Sequence, residues 1–172
     1  MARSAITLLF LLCIPLTALA DPPVVMTVTL EVVETAEYYT WSLYFDGTDG
    51  EMVYDDVMVY YAQVAIDGSW GSFTFYDVMG DPGDVVFSWD WSTSSEGVFT
   101  MTMIGGSGDD AAKLVFVVNP DGSGTLDFYE WANGGWQLVY AFEWDSAGNG
   151  SWIYYEDGVQ VDADSWVVTK TG

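Results

Sequence analysis

From Gly71 the chain reads GSFTFYD, with Phe73 and Phe75 two residues apart and Ser72, Thr74 and Tyr76 on the alternate positions. A period of two is the mark of a strand with one apolar and one polar face. The pattern returns as GVFTMTM from Gly97, GTLDFYE from Gly124 and GSWIYYE from Gly150, at spacings of 26, 27 and 26 residues. Such regularity marks internal repeats. By column, the apolar positions are Phe73, Phe99, Leu126 and Trp152, then Phe75, Met101, Phe128 and Tyr154. Between them fall mostly Ser, Thr and Tyr, with Tyr76, Tyr129 and Tyr155 in equivalent places. A degenerate fifth copy, YTWSLYFDG from Tyr39, is set apart by an insertion around Glu51 to Asp56.

Each glycine is preceded by a second apolar run: MVYYAQVAI from Met58, VVFSWDW from Val85, KLVFVV from Lys113 and QLVYAFEW from Gln137. Asp67-Gly68, Asp121-Gly122, Asn133-Gly134, Asn149-Gly150 and Asp157-Gly158 supply the positive φ angles of tight hairpin turns. The pattern therefore predicts an all-β fold: an antiparallel up-and-down meander of about ten strands, built from hairpin repeats of roughly 26 residues. A meander that long leaves apolar surface and open edges, so we expect closure as a barrel or barrel-like sheet.

The N-terminus reads differently. Residues 1–20 carry Arg3, an apolar run and Ala18-Leu19-Ala20, the layout of a cleaved export signal. Residues 21–172 are then expected as a single all-β repeat domain, which changes the chemistry on offer. The one cysteine, Cys13, lies in the leader, so the exported chain has neither disulfides nor thiolate ligands. All 26 acidic residues lie beyond the leader, where only Lys113 and Lys170 are basic. A field of that sign repels nucleic acid and anionic membrane surfaces and keeps an aromatic-rich surface soluble.

At GNGSWIYYEDG, and more loosely at GSFTFYD and GTLDFYE, the chain resembles the bacterial MORN-type repeats, aromatic-glycine β-hairpins. It is similar also to the choline- and glucan-binding hairpin repeats. The resemblance implies an extracytoplasmic scaffold or binding sheet and carries over no catalytic residue. The unit here is longer, and the lysines common in those repeats are missing.

The chain has no histidine. Histidine-dependent nucleophilic catalysis and the common zinc and haem sites are thereby excluded. Carboxylates are the remaining catalytic groups, and strand-borne Asp90 and Glu143 are the pair a glycosidase would draw on. Acidic turns suit calcium, with candidate ligands Asp46, Asp49, Glu51, Asp81, Asp84, Asp109 and Asp110; no cofactor is required. Aromatic platforms suit sugar rings or partner side chains, with candidates Tyr76, Tyr129, Tyr155, Trp89 and Trp91. These features together lead us to expect an exported, acidic, noncatalytic module of the cell envelope or extracellular space, binding a glycan or a protein surface. The alternatives are a small outer-membrane β-barrel and a carboxylate glycosidase.

Overall fold

Antiparallel pairing dominates the computed structural model, which describes residues 3–10, 25–48, 52–78 and 83–169. The strands are β1 (Arg3–Phe10), β2 (Val25–Glu34), β3 (Tyr38–Thr48), β4 (Val53–Ala65), β5 (Trp70–Tyr76), β6 (Val85–Thr93) and β7 (Phe99–Gly105). They continue as β8 (Ala112–Val118), β9 (Gly124–Ala132), β10 (Gly135–Trp144), β11 (Gly150–Glu156) and β12 (Val159–Trp166). Strand order follows chain order throughout, and no hydrogen-bonded pairing between the end strands closes the sheet among the described residues. The expected meander is thus present, with β1 added from within the segment read as a leader.

The chain divides into two compact units: residues 1–68 with 73–85, and residues 69–72 with 86–172. In the first, β3 pairs with both β2 and β4. Its buried apolar residues are Tyr54, Val59, Ala62 and Ala65, and Ser42, across from Tyr61, is buried as well. Tyr60 stacks on Phe73 at 5.9 Å and lies 4.9 Å from Phe75, and this burial raises its hydroxyl pKa. Of the stretch read as an insertion, Glu51 lies outside the described residues and Val53 to Asp56 belong to β4, where Asp56 takes a positive φ of 51° and the register with β3 shifts. A β-bulge absorbs the extra residues without ending the strand.

In the second unit the registers align the columns of the Gly124 and Gly150 copies, while the Gly97 copy is offset by two residues, so that Met101 and not Phe99 shares a row with Leu126 and Trp152. Trp91, Met101, Phe116, Leu126, Phe142 and Trp152 form one cross-strand row from β6 to β11. Trp89, Met103, Leu114, Phe128, Tyr140 and Tyr154 form the row beside it. Among the described residues of this unit no side chain is fully buried, so the aromatic face is half-exposed along its whole width.

Two kinds of turn make five of the six connections from β6 to β12, β7 and β8 being joined instead through a 3-10 turn, Gly108–Asp110. Ser94–Val98, Asn119–Ser123 and Asp145–Asn149 are five-residue turns in which the first N–H donates to the fifth carbonyl and the fourth N–H to the first. Gly97, Gly122 and Gly148 hold the fourth place at φ 81°, 85° and 86°, the left-handed geometry of a turn ending in a glycine bulge. Asn133-Gly134 and Asp157-Gly158 are two-residue turns with both φ values positive. The expectation for Asn149-Gly150 is corrected: Gly148 takes the left-handed conformation, and Gly150 begins β11.

Gly71, Gly124 and Gly150 mark the repeats for a different reason. An indole lies where their Cβ would be: Trp91 over Gly71, Trp144 over Gly124 and Trp166 over Gly150. Trp144 Nε1 donates to Gly122 O at 2.9 Å, and Trp166 Nε1 to Gly148 O at 2.7 Å. The last two pairings of a ring with a bare backbone thereby fasten a strand to the turn before its neighbour.

Candidate functional site

Opposite the aromatic face, the registers of the second unit bring hydroxyls and carboxylates together. Ser92 lies across from Thr100 and Asp90 from Thr102. Trp70 and Ser72, alternating with the covered Gly71, complete an open trough of about 440 Å³. Trp70 is 37% exposed, enough to present its ring to a ligand. The trough thus sets the exposed Trp70 indole, one exposed carboxylate and four hydroxyl groups around a shallow floor of strand backbone, which Gly71 and Trp91 also border. Nothing charged opposes Asp90 in that lining, so it is available to accept hydrogen bonds from a neutral, hydroxyl-rich molecule.

Of the aromatic residues singled out from sequence, Trp91 borders the trough beside Gly71, and the others are placed elsewhere. Trp89 and Trp91 lie on the opposite face with ring centroids 6.0 Å apart, and Trp91 covers Gly71. Tyr76 ends β5 in the first unit, whereas Tyr129 and Tyr155 belong to the second. Tyr129 and Tyr155 sit on strands two steps apart, about 10 Å at ordinary strand spacing. Tyr129 donates to Asp127 Oδ2 at 3.4 Å, and its pKa is raised by burial first and by Asp127 second. The Lys113 ammonium lies 4.3 Å from the Tyr129 ring and 4.9 Å from that of Trp136. Tyr155 lines a second cleft of about 320 Å³ at the tips of two hairpins, beside Glu130 and Glu156. Its neighbour Tyr154 has a raised pKa, from desolvation first, then Glu156, Tyr140 and Glu130.

Asp90 and Glu143, the pair considered for glycoside hydrolysis, occupy β6 and β10, four strand steps apart. That is about 19 Å along the sheet, against the roughly 5–9.5 Å separating working carboxylate pairs. Glu143 accepts from Ser151 Oγ at 3.1 Å.

The acidic turn residues are dispersed. Asp46 lies in β3 across from Thr27, Asp84 precedes β6, and Asp109 and Asp110 are exposed in a short 3-10 turn, Gly108–Asp110. Asp49, Glu51 and Asp81 lie outside the described residues. Among the described residues no three acidic side chains gather around a position fit for a metal ion. Asp121 and Asp145 serve their own turns. The Asp145 carboxylate accepts from Ala147 N at 2.8 Å, Asn149 N at 3.0 Å and Asn149 Nδ2 at 3.0 Å; the Asn149 side chain is the largest cause of its lowered pKa. Ser123 does the same for Asp121, through its hydroxyl and then its N–H.

The reading from sequence passed over Trp70, Ser72, Ser92, Thr100 and Thr102. The available signal was Trp70 itself, a large aromatic on the alternation of Ser72, Thr74 and Tyr76 and therefore on the polar face. Set against known proteins, the chain matches no family model, no curated protein and no solved structure.

Proposed function

We propose that the chain is an exported, noncatalytic binding module of the cell envelope or extracellular space, and that its Ser/Thr face takes a glycan in the trough beside Trp70. The observation that carries this reading is the exposed indole set next to Asp90 and four hydroxyls. A pyranose offers an apolar C–H face that stacks on an indole and a rim of hydroxyls that exchange hydrogen bonds with carboxylate and hydroxyl groups. The leader and the acidic, cysteine-free composition of residues 21–172 support the compartment.

The test is binding of the exported protein to a panel of soluble polysaccharides by calorimetry, with Trp70→Ala and Asp90→Asn as variants. Thr125→Ala, on the same face but outside the trough, is the control. Loss of stacking at Trp70 is expected to weaken binding by about tenfold or more, which corresponds to about 1.4 kcal/mol, with circular dichroism unchanged. Wild-type affinity in both trough variants would remove the proposal.

One observation favours a second reading, a small outer-membrane barrel: the half-exposed aromatic face of β6–β11 lies opposite Ser/Thr-rich positions, the alternation a lipid-facing strand requires. Recovery of the protein in the detergent-soluble outer-membrane fraction would establish it; recovery in the aqueous fraction would dismiss it.

A further inference from the structure

The two ends of the strand order are closed in different ways. On β12, the N–H of Ala163 is held by Asp162 Oδ1 at 2.8 Å and the N–H of Ser165 by Asp164 Oδ1 at 2.7 Å. A strand added beyond β12 would need those two donors and would bring its carbonyls against two carboxylates. Charged, self-satisfied edges of this kind resist strand addition.

β2 has the opposite character. Its sequence, VMTVTLEVVE, is rich in β-branched residues and contains neither proline nor glycine, a composition that favours pairing. Its outer edge is already taken by a strand of this chain: β1 runs antiparallel along it from Arg3 opposite Val33 to Phe10 opposite Met26. β1 lies within the segment read as a leader, so export would strip it away and open the eight residues from Met26 to Val33 that it covers.

We propose that the vacated edge of β2 is a homodimer interface, in which β2 of a second copy adds antiparallel where β1 lay. This rests on the exported reading above. A two-fold axis perpendicular to the sheet at Leu30 sets Leu30 against its own copy, and Val28 against Val32 of the second copy. The apolar positions paired to Phe45, Leu43 and Trp41 on β3 then continue unbroken from one copy to the next. In this register Glu31 faces Thr29 and Glu34 faces Met26, so no two carboxylates meet directly, as like charges across strands would oppose pairing. Assembly stops at two because Asp162 and Asp164 guard the other end, and an isologous contact closes on itself.

The test expresses the full chain with its own leader in a secreting host and isolates the exported protein. Intact mass reports whether residues 1–20 are gone, and light scattering reports the assembly. The chain's one cysteine is in the leader, so an introduced cysteine gives an unambiguous cross-link. The expected result is a dimer that Leu30→Cys locks as a disulfide about tenfold faster than Ala163→Cys on β12 does. Asp162→Ala with Asp164→Ala is expected to form larger assemblies. A processed protein that is monomeric overturns the proposal, as does a monomer in which Leu30→Cys and Ala163→Cys join within one chain. Retention of residues 1–20 overturns it too, and the mass identifies that failure as one of the export reading. Wild-type light scattering decides the matter even where a cysteine variant does not fold.

Discussion

Replacing Gly71 by alanine tests the pairing of indole and bare backbone that recurs through the repeats. The three nearest atoms to a Cβ at Gly71 all belong to the Trp91 ring, and the Gly71 backbone is not in the left-handed region. Steric conflict with that one side chain is therefore the whole expected penalty. Forcing a methyl group into a filled contact typically costs about 1–3 kcal/mol. In a Trp91→Ala background the conflict vanishes and the ordinary preference of a strand interior returns, favouring alanine over glycine by roughly 0.5–1 kcal/mol. Gly71→Ala is thus expected to destabilise the native protein and stabilise the Trp91→Ala variant, with a coupling of about 2 kcal/mol. The assay is a double-mutant cycle in urea followed by circular dichroism, with thermal midpoints expected to fall by about 2–4 °C per kcal/mol for a chain of this size. Gly135→Ala is the control, because its Cβ would meet nothing within 4 Å and its φ is not positive. An equal cost in both backgrounds, or no cost in the native one, would refute the reasoning.

Two further outcomes are expected. The Asp145 carboxyl is held below its ordinary value, so its contribution is full at neutral pH and is lost as pH falls through that depressed value; the stability gap between native protein and Asp145→Ala should narrow as pH falls below the ordinary carboxyl range, and a gap independent of pH in urea titrations would exclude the turn as its source. Lys113→Met removes an ammonium set over two rings and is expected to cost about 0.5–1 kcal/mol in the same assay, with Lys113→Arg close to native.

Much of this architecture is written locally in the chain. Alternation over Phe73/Phe75, Leu126/Phe128 and Trp152/Tyr154 revealed strands and faces because strand side chains have a fixed period of two. The dipeptides Asn133-Gly134 and Asp157-Gly158 revealed two turns because few other pairs adopt two positive φ values in succession. The role of Gly71, Gly124 and Gly150 was harder to see, since it depends on an indole from another strand. A faint signal exists: Trp91 and Trp144 each follow their glycine by 20 residues. The trough escaped because its members come from three strands and only the register puts Ser92 beside Thr100. Asp90 and Glu143 looked alike as carboxylates beside tryptophans, but the count of intervening strands is what separates them.

The absence of any fully buried side chain among the described residues of the second unit leads to one last expectation. Its apolar stabilisation comes largely from contacts between adjacent strands, as in Tyr140 with Tyr154 at 5.0 Å and Phe99 with Phe116 at 6.4 Å. Stability built from nearest-neighbour terms is local: an injured strand weakens those beside it and spares those further away. Trp152→Ala on β11 removes a ring paired across to Phe142. Truncating a half-buried tryptophan typically costs somewhat less than the roughly 3–5 kcal/mol of a core position. Amide hydrogen exchange is therefore expected to rise in β10, β11 and β12 while β6, β7 and β8 keep native protection. Equal loss of protection across all seven strands of the unit would show that it unfolds as one body, and that the aromatic rows act as a shared core instead of a chain of neighbouring pairs.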